Sequence, residues 1–228
     1  MSDDRESPGL SRGEDVHEPG DRGRTGPTLL FEQRLWRRGV RHVAGVDEAG
    51  RGPLAGPVVA AAVLLRADTA EWELAGCDDS KRLAPSVRRA LVARIQAVAG
   101  AWAVAEVDVP EIDRLNIAVA SFEAMRRAVA TLVPAPEHVL VDGLPNPRLP
   151  MAQTAVVGGD GLCLSVAAAS ILAKVHRDEL MLDLDRRYPG YGFAEHKGYP
   201  TPQHRQALEA LGPCPAHRRS FRLLGRGR

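Results

Sequence analysis

An unbroken run of eight apolar residues, Val58–Leu65, constrains the fold of this chain more than any other feature. A run without alternating polar positions is typical of a strand that is buried on both faces of a sheet. A second, mainly apolar stretch at 42–46 precedes it, and a segment rich in Gly and Pro separates the two. We therefore predict two strands that pair as an antiparallel hairpin.

The rest of the chain alternates strand and helix patterns. Strands are predicted at 102–107 and 138–141, and an Ala-rich helix at about 165–187. A short helix is expected to begin near Leu29, whereas the stretch 188–200, rich in Gly, Pro and Tyr, is expected to be irregular. This alternation is typical of an α/β domain, here followed by a mainly helical C-terminal segment.

Three further helices are predicted from their end signals and apolar periodicity. Asn116 is the predicted N-cap of one helix. Thr201 and Pro202 are the predicted cap and first residue of another, which ends near Leu211. The apolar residues expected to be buried are Val87, Ala90, Leu91, Ile95 and Val98 in a helix at 86–98, and Ile117, Met125, Val129 and Leu132 in the helix after Asn116.

The net charge of +1 conceals an uneven distribution of charge along the chain. Residues 1–28 hold seven acids and four arginines, a net charge of −3, so the remaining 200 residues carry +4. Residues 214–228 contain five arginines and no acid. We expect 1–27 to be a disordered acidic leader, because its few apolar residues cannot offset the entropy of ordering it. The basic end suits a phosphate backbone, although a solvated tail has the same composition.

Composition also excludes several classes of protein. No apolar run reaches the roughly 18 residues of a membrane-spanning helix, and the N-terminus lacks the apolar stretch of a signal peptide. The cysteines, Cys77, Cys163 and Cys214, are odd in number and widely spaced, which argues against a disulfide framework and against a zinc site. We expect a cytoplasmic protein with three reduced thiols and no membrane partner.

Acidic residues stand where predicted strands end. Asp47 and Glu48 follow the first strand, Asp142 follows the strand at 138–141, and Asp160 follows a Gly-rich turn. Any one of them could instead cap a turn or pair with an arginine. If all four converge, their mutual repulsion requires a cation, and hard oxygen ligands favour Mg²⁺ or Mn²⁺. Such clusters typically hold two ions about 4 Å apart and carry out phosphoryl transfer.

A competing motif occupies 50–55, where Gly-Arg-Gly-Pro-Leu-Ala matches the G-x-G-x-x-G/A fingerprint of dinucleotide sites. That fingerprint needs a helix to begin at the loop, so that the helix N-terminus faces the pyrophosphate. Here a strand pattern follows instead, at Val58–Leu65. The context therefore excludes a dinucleotide site.

Taken together, these motifs resemble a known family, ribonuclease HII, the type 2 ribonucleases H. The resemblance keeps the family's order from about residue 30 to residue 221, nearly the whole chain outside the leader. It is carried by VAGVDEAGRGPLAGPVV at 43–59, DSK at 79–81, NIA at 116–118, VDG at 141–143, AASILAKVHRD at 168–178, YPGYGF at 188–193, HKGYPT at 196–201 and HRRSF at 217–221.

The resemblance implies a fold, a domain organisation and an activity. The fold would be an RNase H-like mixed sheet with the antiparallel N-terminal hairpin, flanked by helices, plus a helical C-terminal segment. A catalytic domain would span 28–187, and 188–228 would hold the substrate and carry the basic tail. The enzyme, a monomer, would cleave the RNA strand of RNA–DNA hybrids and cut 5′ of single ribonucleotides embedded in duplex DNA, leaving 5′-phosphate and 3′-hydroxyl ends.

The catalytic acids and metal ligands implied by the resemblance are Asp47, Glu48, Asp142 and Asp160. Gly158 stands where the family often has a basic residue, so that Asp178 remains an alternative fourth acid. Asp178 also lies four residues after Lys174, at the spacing of an ion pair within a helix.

The substrate-binding residues implied by the resemblance are Gly50, Arg51, Gly52 and Tyr199. The glycines let the backbone approach the ribose, whose 2′-hydroxyl distinguishes RNA from DNA, and Tyr199 would pack on the adjoining deoxyribose. The distribution of lysine adds one more residue. Only three of the 30 basic residues are lysines, Lys81, Lys174 and Lys197, and all three lie in the motif blocks. Since lysine and arginine are not interchangeable, we place Lys81 near a substrate phosphate.

Two other functions would use the same residues. A non-catalytic module could keep the fold and bind duplexes without cutting them, although acids at all four positions argue against it. A nucleotide phosphotransferase could use the same ions, but the sequence has no recognisable loop for a small nucleotide. Metal-dependent cleavage of a duplex that contains one ribonucleotide distinguishes the enzyme from the binding module.

Overall fold

The computed structural model describes residues 26–223. The predictions for the leader up to residue 25 and for the end of the basic tail at 224–228 lie outside the described residues. The strands are β1 (Val43–Ala49), β2 (Val58–Leu65), β3 (Ala101–Val107), β4 (His138–Asp142) and β5 (Ala152–Val156). The helices are α1 (Leu30–Arg37), α2 (Pro85–Val98), α3 (Val109–Leu115), α4 (Ile117–Thr131), α5 (Leu164–Arg187), α6 (Phe193–His196) and α7 (Pro202–Leu211).

The five strands form one mixed sheet in the order β3-β2-β1-β4-β5. β1 and β2 pair antiparallel, with Val43 opposite Leu65, which confirms the predicted hairpin. All of β2 is buried, as the uninterrupted apolar run predicts. β1 is longer than predicted because β2 pairs with it as far as Ala49, so that Asp47 and Glu48 belong to the strand instead of following it.

Parallel pairing of β1 with β4 brings two acids to one edge of the sheet. The register places Val46 opposite Val141, and the next residues along these strands are Asp47 and Asp142. Parallel strands have their carboxyl ends at the same edge. β5 also runs parallel to β4, with Val156 opposite Asp142. The sheet therefore delivers the chain that follows β5 to the same edge.

Helices cover both faces of the sheet. α4 packs on one face, against residues such as Ala60, and α5 packs on the other with α2, against residues such as Val59. α5 approaches β1 closely, since a Cβ atom added at Gly45 would lie 2.4 Å from the backbone carbon of Ser165. α5 runs past the edge of the sheet where Asp47 and Asp142 lie. Its close packing on β1 therefore places it beside these two acids.

The predicted buried face of α2 is partly wrong. Leu91 and Ile95 are buried as predicted, but Val87 and Ala90 are exposed and Arg88 is buried instead. The Arg88 guanidinium donates hydrogen bonds to two backbone carbonyls and to a carboxylate on α5. These partners compensate the cost of burying a charge, a pattern that apolar periodicity cannot predict.

The predicted face of α4 is largely confirmed. Met125, Val129 and Leu132 are buried, whereas Ile117, in the first turn, is only half-buried. Asn116 caps the helix as predicted, and its side-chain oxygen accepts hydrogen bonds from two backbone N–H groups of the first turn. The capping residue Asn116 therefore predicted the start of the helix correctly, whereas the expected burial of Ile117 is only partly confirmed.

The segment after α5 packs on the chain just beyond β1. The stretch 188–200 is irregular except for α6, and α7 has the predicted bounds, with the Thr201 hydroxyl accepting a hydrogen bond from the His204 N–H. A third apolar cluster includes Leu54 and Ala55 from one side and α6 and α7 residues from the other. The C-terminal segment therefore fixes the loop that follows Asp47 and Glu48.

Two elements had little sequence signal. α3 was not predicted, and β5 was indicated only by Val156 and Val157, its last residue and the one after it. Both are short, and short elements depend on tertiary contacts for their stability. Within 26–223, no helix is long and apolar enough to cross a membrane.

Candidate active site

Three carboxylates converge at the edge where β1 and β4 end. One oxygen atom from each of Asp47, Asp142 and Asp160 lies within 4.8 Å of the other two. Asp47 and Asp142 come from the ends of their strands, and Asp160 comes from the short turn Gly159–Gly161 after β5. The structure therefore brings together three of the four acids singled out in the sequence.

The turn that carries Asp160 is tied to Asp142. Gly158 adopts a left-handed conformation with φ of 68°, which favours glycine. The next residue, Gly159, donates its N–H to Asp142 Oδ1 at 2.7 Å. This bond holds the turn against the end of β4, so that the Asp160 side chain points back toward the strand-borne acids.

The cluster is strained electrostatically. Burial raises the pKa of Asp47 well above its ordinary value, and the neighbouring charges of Glu48 and Asp142 raise it further. Burial and the charges of Asp142 and Asp79 raise the pKa of Asp160 as well. Carboxylates that are desolvated and close to one another favour either protonation or a bound cation. An all-oxygen donor set of this kind fits Mg²⁺ or Mn²⁺.

Glu48 lines the same cavity but turns toward an arginine. Its Oε1 atom accepts a hydrogen bond at 3.2 Å from Arg51, three residues further on. Burial raises the pKa of Glu48, while the Arg51 charge acts in the opposite direction. Glu48 is thus beside the three-carboxylate cluster and not part of it.

Asp178, the alternative fourth acid, lies in a different environment. Lys174 Nζ donates to Asp178 Oδ1 at 2.5 Å, which confirms the ion pair predicted from their spacing, and Arg88 Nη2 lies 3.4 Å from Asp178 Oδ2. Two cations therefore already compensate this carboxylate. The geometry favours Asp160 as the third member of the cluster.

The predicted substrate-binding residues line one cavity of about 180 Å³ with Asp47, Glu48 and Asp142. Gly50, Arg51 and Gly52 form one side of it, and the Tyr199 ring lies next to Gly52, with Cε1 3.5 Å from the position that a Cβ there would occupy. Two of the three lysines, Lys81 and Lys174, also line this cavity. Sequence motifs that are about 150 residues apart thus meet at one opening.

Lys81 lies at the rim of the acid cluster. Its Nζ atom is 3.4 Å from Asp160 Oδ2 and 3.6 Å from Asp79 Oδ1, and its side chain is 75% exposed. The Asp160 and Asp79 charges raise its pKa against the opposing effect of burial. The ammonium group is therefore charged and open to solvent beside the cluster.

The sequence patterns missed two arginines that support this cavity. Arg177, on α5, and Arg218, in the C-terminal segment, are almost completely buried and bond to backbone carbonyls around the Gly50–Gly52 loop. Both residues lie inside the motif blocks, but arginine is usually a surface residue. Nothing in their local sequence distinguishes them from exposed arginines.

The fold and this site together define a class of protein. A mixed sheet in the order β3-β2-β1-β4-β5, with acids gathered at the adjacent ends of β1 and β4, is that of a metal-dependent nuclease with an RNase H-like fold. Residues 44–224 match the family model of ribonuclease HII. The chain belongs to the ribonuclease HII family.

Known ribonucleases H are similar to this chain in sequence and in structure. A ribonuclease HII of Moorella thermoacetica is 55% identical over 203 residues, which cover 89% of this chain and 97% of that protein. The crystal structure of ribonuclease H2 from Pyrococcus horikoshii OT3 is 28% identical with a TM-score of 0.66, covering 80% of this chain and 94% of that one. A Bst-RNase HIII solved in complex with Mn²⁺ shares the fold at 22% identity and a TM-score of 0.58, covering 76% and 63% of the two chains.

Family membership establishes the general activity. The protein is an endoribonuclease of the ribonuclease H type, a hydrolase that depends on metal ions and acts on RNA–DNA substrates. The predicted RNase H-like fold, the class of enzyme and the family are thereby confirmed.

Proposed function

We propose that this enzyme cleaves the RNA strand of RNA–DNA hybrids and also cuts 5′ of a single ribonucleotide embedded in duplex DNA, leaving 5′-phosphate and 3′-hydroxyl ends. One observation carries the proposal. Asp47 and Asp142, two acids of the cluster, line one cavity together with the loop Gly50–Gly52 and Tyr199. A phosphodiester at the acids would therefore have its ribose within reach of the loop.

The acids would hold two divalent ions, Mg²⁺ or Mn²⁺. Asp47, Asp142 and Asp160 supply converging oxygen atoms, and Glu48 adds a fourth carboxylate from the same cavity. Bound ions of this kind activate water and stabilise the departing 3′-oxygen. The chain itself keeps the carboxylates desolvated and fixed in position, so that they need little rearrangement during the reaction.

The loop and Tyr199 would select the ribonucleotide. Because Gly52 has no side chain, the backbone donors and acceptors of the loop would approach a 2′-hydroxyl directly. Tyr199 is 45% exposed beside Gly52 and offers a ring face to the adjoining deoxyribose. Lys81 would contact a phosphate at the rim. We further propose that the enzyme acts as a monomer in the cytoplasm, with a C-terminal segment at 188–228 that holds the duplex.

The test is an end-labelled DNA duplex that contains one ribonucleotide, incubated with Mg²⁺, with Mn²⁺ or with EDTA. We expect one cut 5′ of the ribonucleotide in either ion and none in EDTA. Asp47→Asn should reduce cleavage by at least about 100-fold, since even partners of metal ligands contribute 10- to 100-fold. Asp68→Asn, at an exposed aspartate, is the matched control. Absence of a metal-dependent cut in the wild type would favour the non-catalytic binding module.

Recognition is tested separately with Arg51→Ala and Tyr199→Ala. We expect both variants to lose preference for the single-ribonucleotide duplex over a long hybrid, by about tenfold for the loss of one or two contacts. Arg66→Ala is a control, because its side chain is exposed to the same degree as that of Arg51, 58% against 57%. If both variants retain the wild-type preference, the recognition roles are wrong.

A further inference from the structure

Two arginines are buried without a carboxylate partner. Arg177 and Arg218 are 1% and 0% exposed, and neither forms a salt bridge with another residue of 26–223. A buried charge is costly unless hydrogen bonds replace the lost water. Burial accordingly lowers the pKa of Arg218 to about 9 and that of Arg177 to about 10, so both remain protonated at neutral pH.

Backbone carbonyls replace the water around Arg218. Its guanidinium donates to the carbonyl oxygens of Gly50 at 2.6 Å, Arg51 at 3.1 Å, Gly56 at 2.9 Å and Pro57 at 3.2 Å. Two of these carbonyls belong to the loop Gly50–Gly52, here called the recognition loop, and the other two lie immediately before β2. Arg218 thus joins both ends of the segment that separates the hairpin strands.

Arg177 makes a similar set of hydrogen bonds to neighbouring backbone carbonyls. It donates to the carbonyl oxygens of Ala55 and Lys197 at 3.0 Å and of Pro57 at 3.1 Å. Lys197 belongs to the loop that carries Tyr199. Arg177 also fills the space beside Gly50, where a Cβ atom would lie 2.1 Å from its Nε atom. The two arginines therefore hold the recognition loop and the Tyr199 loop against each other.

The carbonyl bonds determine where the neighbouring N–H groups point. In a planar trans peptide, the C=O and the N–H of the next residue point in opposite directions, and the peptides of this loop are trans. With the Gly50 and Arg51 carbonyls directed inward to Arg218, the Arg51 and Gly52 N–H groups must point away from it. Within the described chain, neither N–H donates a hydrogen bond to another residue, and both residues line the cavity.

We propose that Arg218 is a positioning residue for ribonucleotide recognition, because it turns the Arg51 and Gly52 N–H groups toward the ribose in the cavity. Arg177 supports this arrangement by tying the Tyr199 loop to the same segment. The inference rests on the proposed function, in which this loop reads the 2′-hydroxyl. Only a guanidinium has the planar fork of five donors that serves four carbonyls at once, so lysine should not replace it.

The first experiment uses the wild type. Binding to a duplex with one ribonucleotide and to the same all-DNA duplex is compared in EDTA, where no bond is cut, with the backbone amide signals of Arg51 and Gly52 followed by NMR. We expect tighter binding of the ribonucleotide duplex and a shift of both signals with that duplex only. No preference would contradict the proposed function, whereas a preference without shifts of these two signals would contradict the N–H orientation.

The second experiment changes the arginine. Arg218→Lys and Arg218→Met should each reduce the ribonucleotide preference about tenfold, the effect of one or two hydrogen bonds, while affinity for the all-DNA duplex stays unchanged. Arg66→Met removes the same charge from an exposed position just after β2, outside the segment proposed to hold the duplex, and should retain the preference. If Arg218→Lys folds and keeps the wild-type preference, Arg218 does not position the loop. If neither Arg218 variant folds, the wild-type amide shifts decide the matter.

Discussion

The two walls of the active-site cavity handle buried charge in opposite ways. On one wall, three carboxylates face one another, and burial together with like charges raises the pKa of Asp47 and Asp160. On the other side, Arg177 lines the cavity and Arg218 lies behind the Gly50–Gly52 loop, and both are more deeply buried than the carboxylates. Backbone carbonyls nevertheless surround each guanidinium group. The difference separates two tasks. The carboxylates, whose neighbouring cation is the exposed Lys81, attract a ligand, whereas the guanidinium groups enclosed by carbonyls fix a shape.

The origin of the side chains explains the difference. Asp47 and Asp142 extend from the ends of adjacent parallel strands, where the sheet already uses the backbone hydrogen-bonding groups, and Asp160 extends from the turn after β5 toward them. The arginines extend into an irregular segment between β1 and β2, whose carbonyls have no sheet partner and need donors. The arginines therefore bind backbone carbonyls, whereas the acids at the edge of the sheet have few backbone groups to bind.

The largest expected effect comes from breaking the compensated wall. Arg177→Met removes the donors of three buried carbonyls and should lower the free energy of unfolding by about 2–4 kcal/mol, since a buried unsatisfied group costs about 1–3 kcal/mol. Urea unfolding at neutral pH measures this. Arg94→Met, which removes a single exposed bond to the Ala75 carbonyl, is the control and should cost much less. Equal losses in the two variants would contradict the role given to the carbonyl shell.

The stability of the carboxylate side of the cavity should respond in the reverse direction. Without metal, Asp47→Asn removes a desolvated like charge and should raise the free energy of unfolding by on the order of 1 kcal/mol. With Mg²⁺ at 100 times its dissociation constant, the wild type should gain about 2.7 kcal/mol and become more stable than the variant. Thermal unfolding in EDTA and in Mg²⁺ measures both.

The pH dependence of stability should also differ between the wild type and Asp47→Asn. Asp47 has a raised pKa in the folded state, so the folded metal-free protein holds its proton more tightly than the unfolded chain. Wild-type stability in EDTA should therefore fall, relative to Asp47→Asn, as pH rises above the ordinary aspartate value of about 3.9. A wild type more stable than the variant in EDTA at pH 7 would show that the carboxylates are compensated after all.

The smallest effect concerns the packing behind Tyr199. His217 is buried between Cys214 and His204, and burial lowers its pKa to about 4. The unfolded chain binds a proton at about pH 6.5 and the folded one only near pH 4, so stability is lost as pH falls through this range. Between pH 7 and pH 5.5 the loss should be on the order of 1 kcal/mol. His217→Gln should flatten the urea-unfolding profile, whereas the more exposed His176→Gln should not.

Several features followed from the sequence with little help from the fold. The hairpin, the long Ala-rich α5 and the caps Asn116 and Thr201 all have local causes, namely an apolar run, a composition and a side-chain bond within one turn. Short elements such as α3 did not follow from the sequence, because a helix of seven residues depends for its stability on the residues it packs against. The prediction of the buried face of α2 failed for a related reason, since Arg88 is buried against two carbonyls of the preceding segment and against Asp178 on α5.

The sequence by itself determined the family, the strand-borne acids Asp47 and Asp142, and the motif blocks that line the cavity, because strand ends and motifs are properties of contiguous residues. Only the tertiary structure decided that Asp160 joins these acids, and that Arg88 contacts Asp178 in addition to Lys174, the partner that the spacing predicted. It also decided that Arg177 and Arg218 are buried donors. Burial and compensation depend on groups brought together from distant parts of the chain, and no local pattern records that meeting.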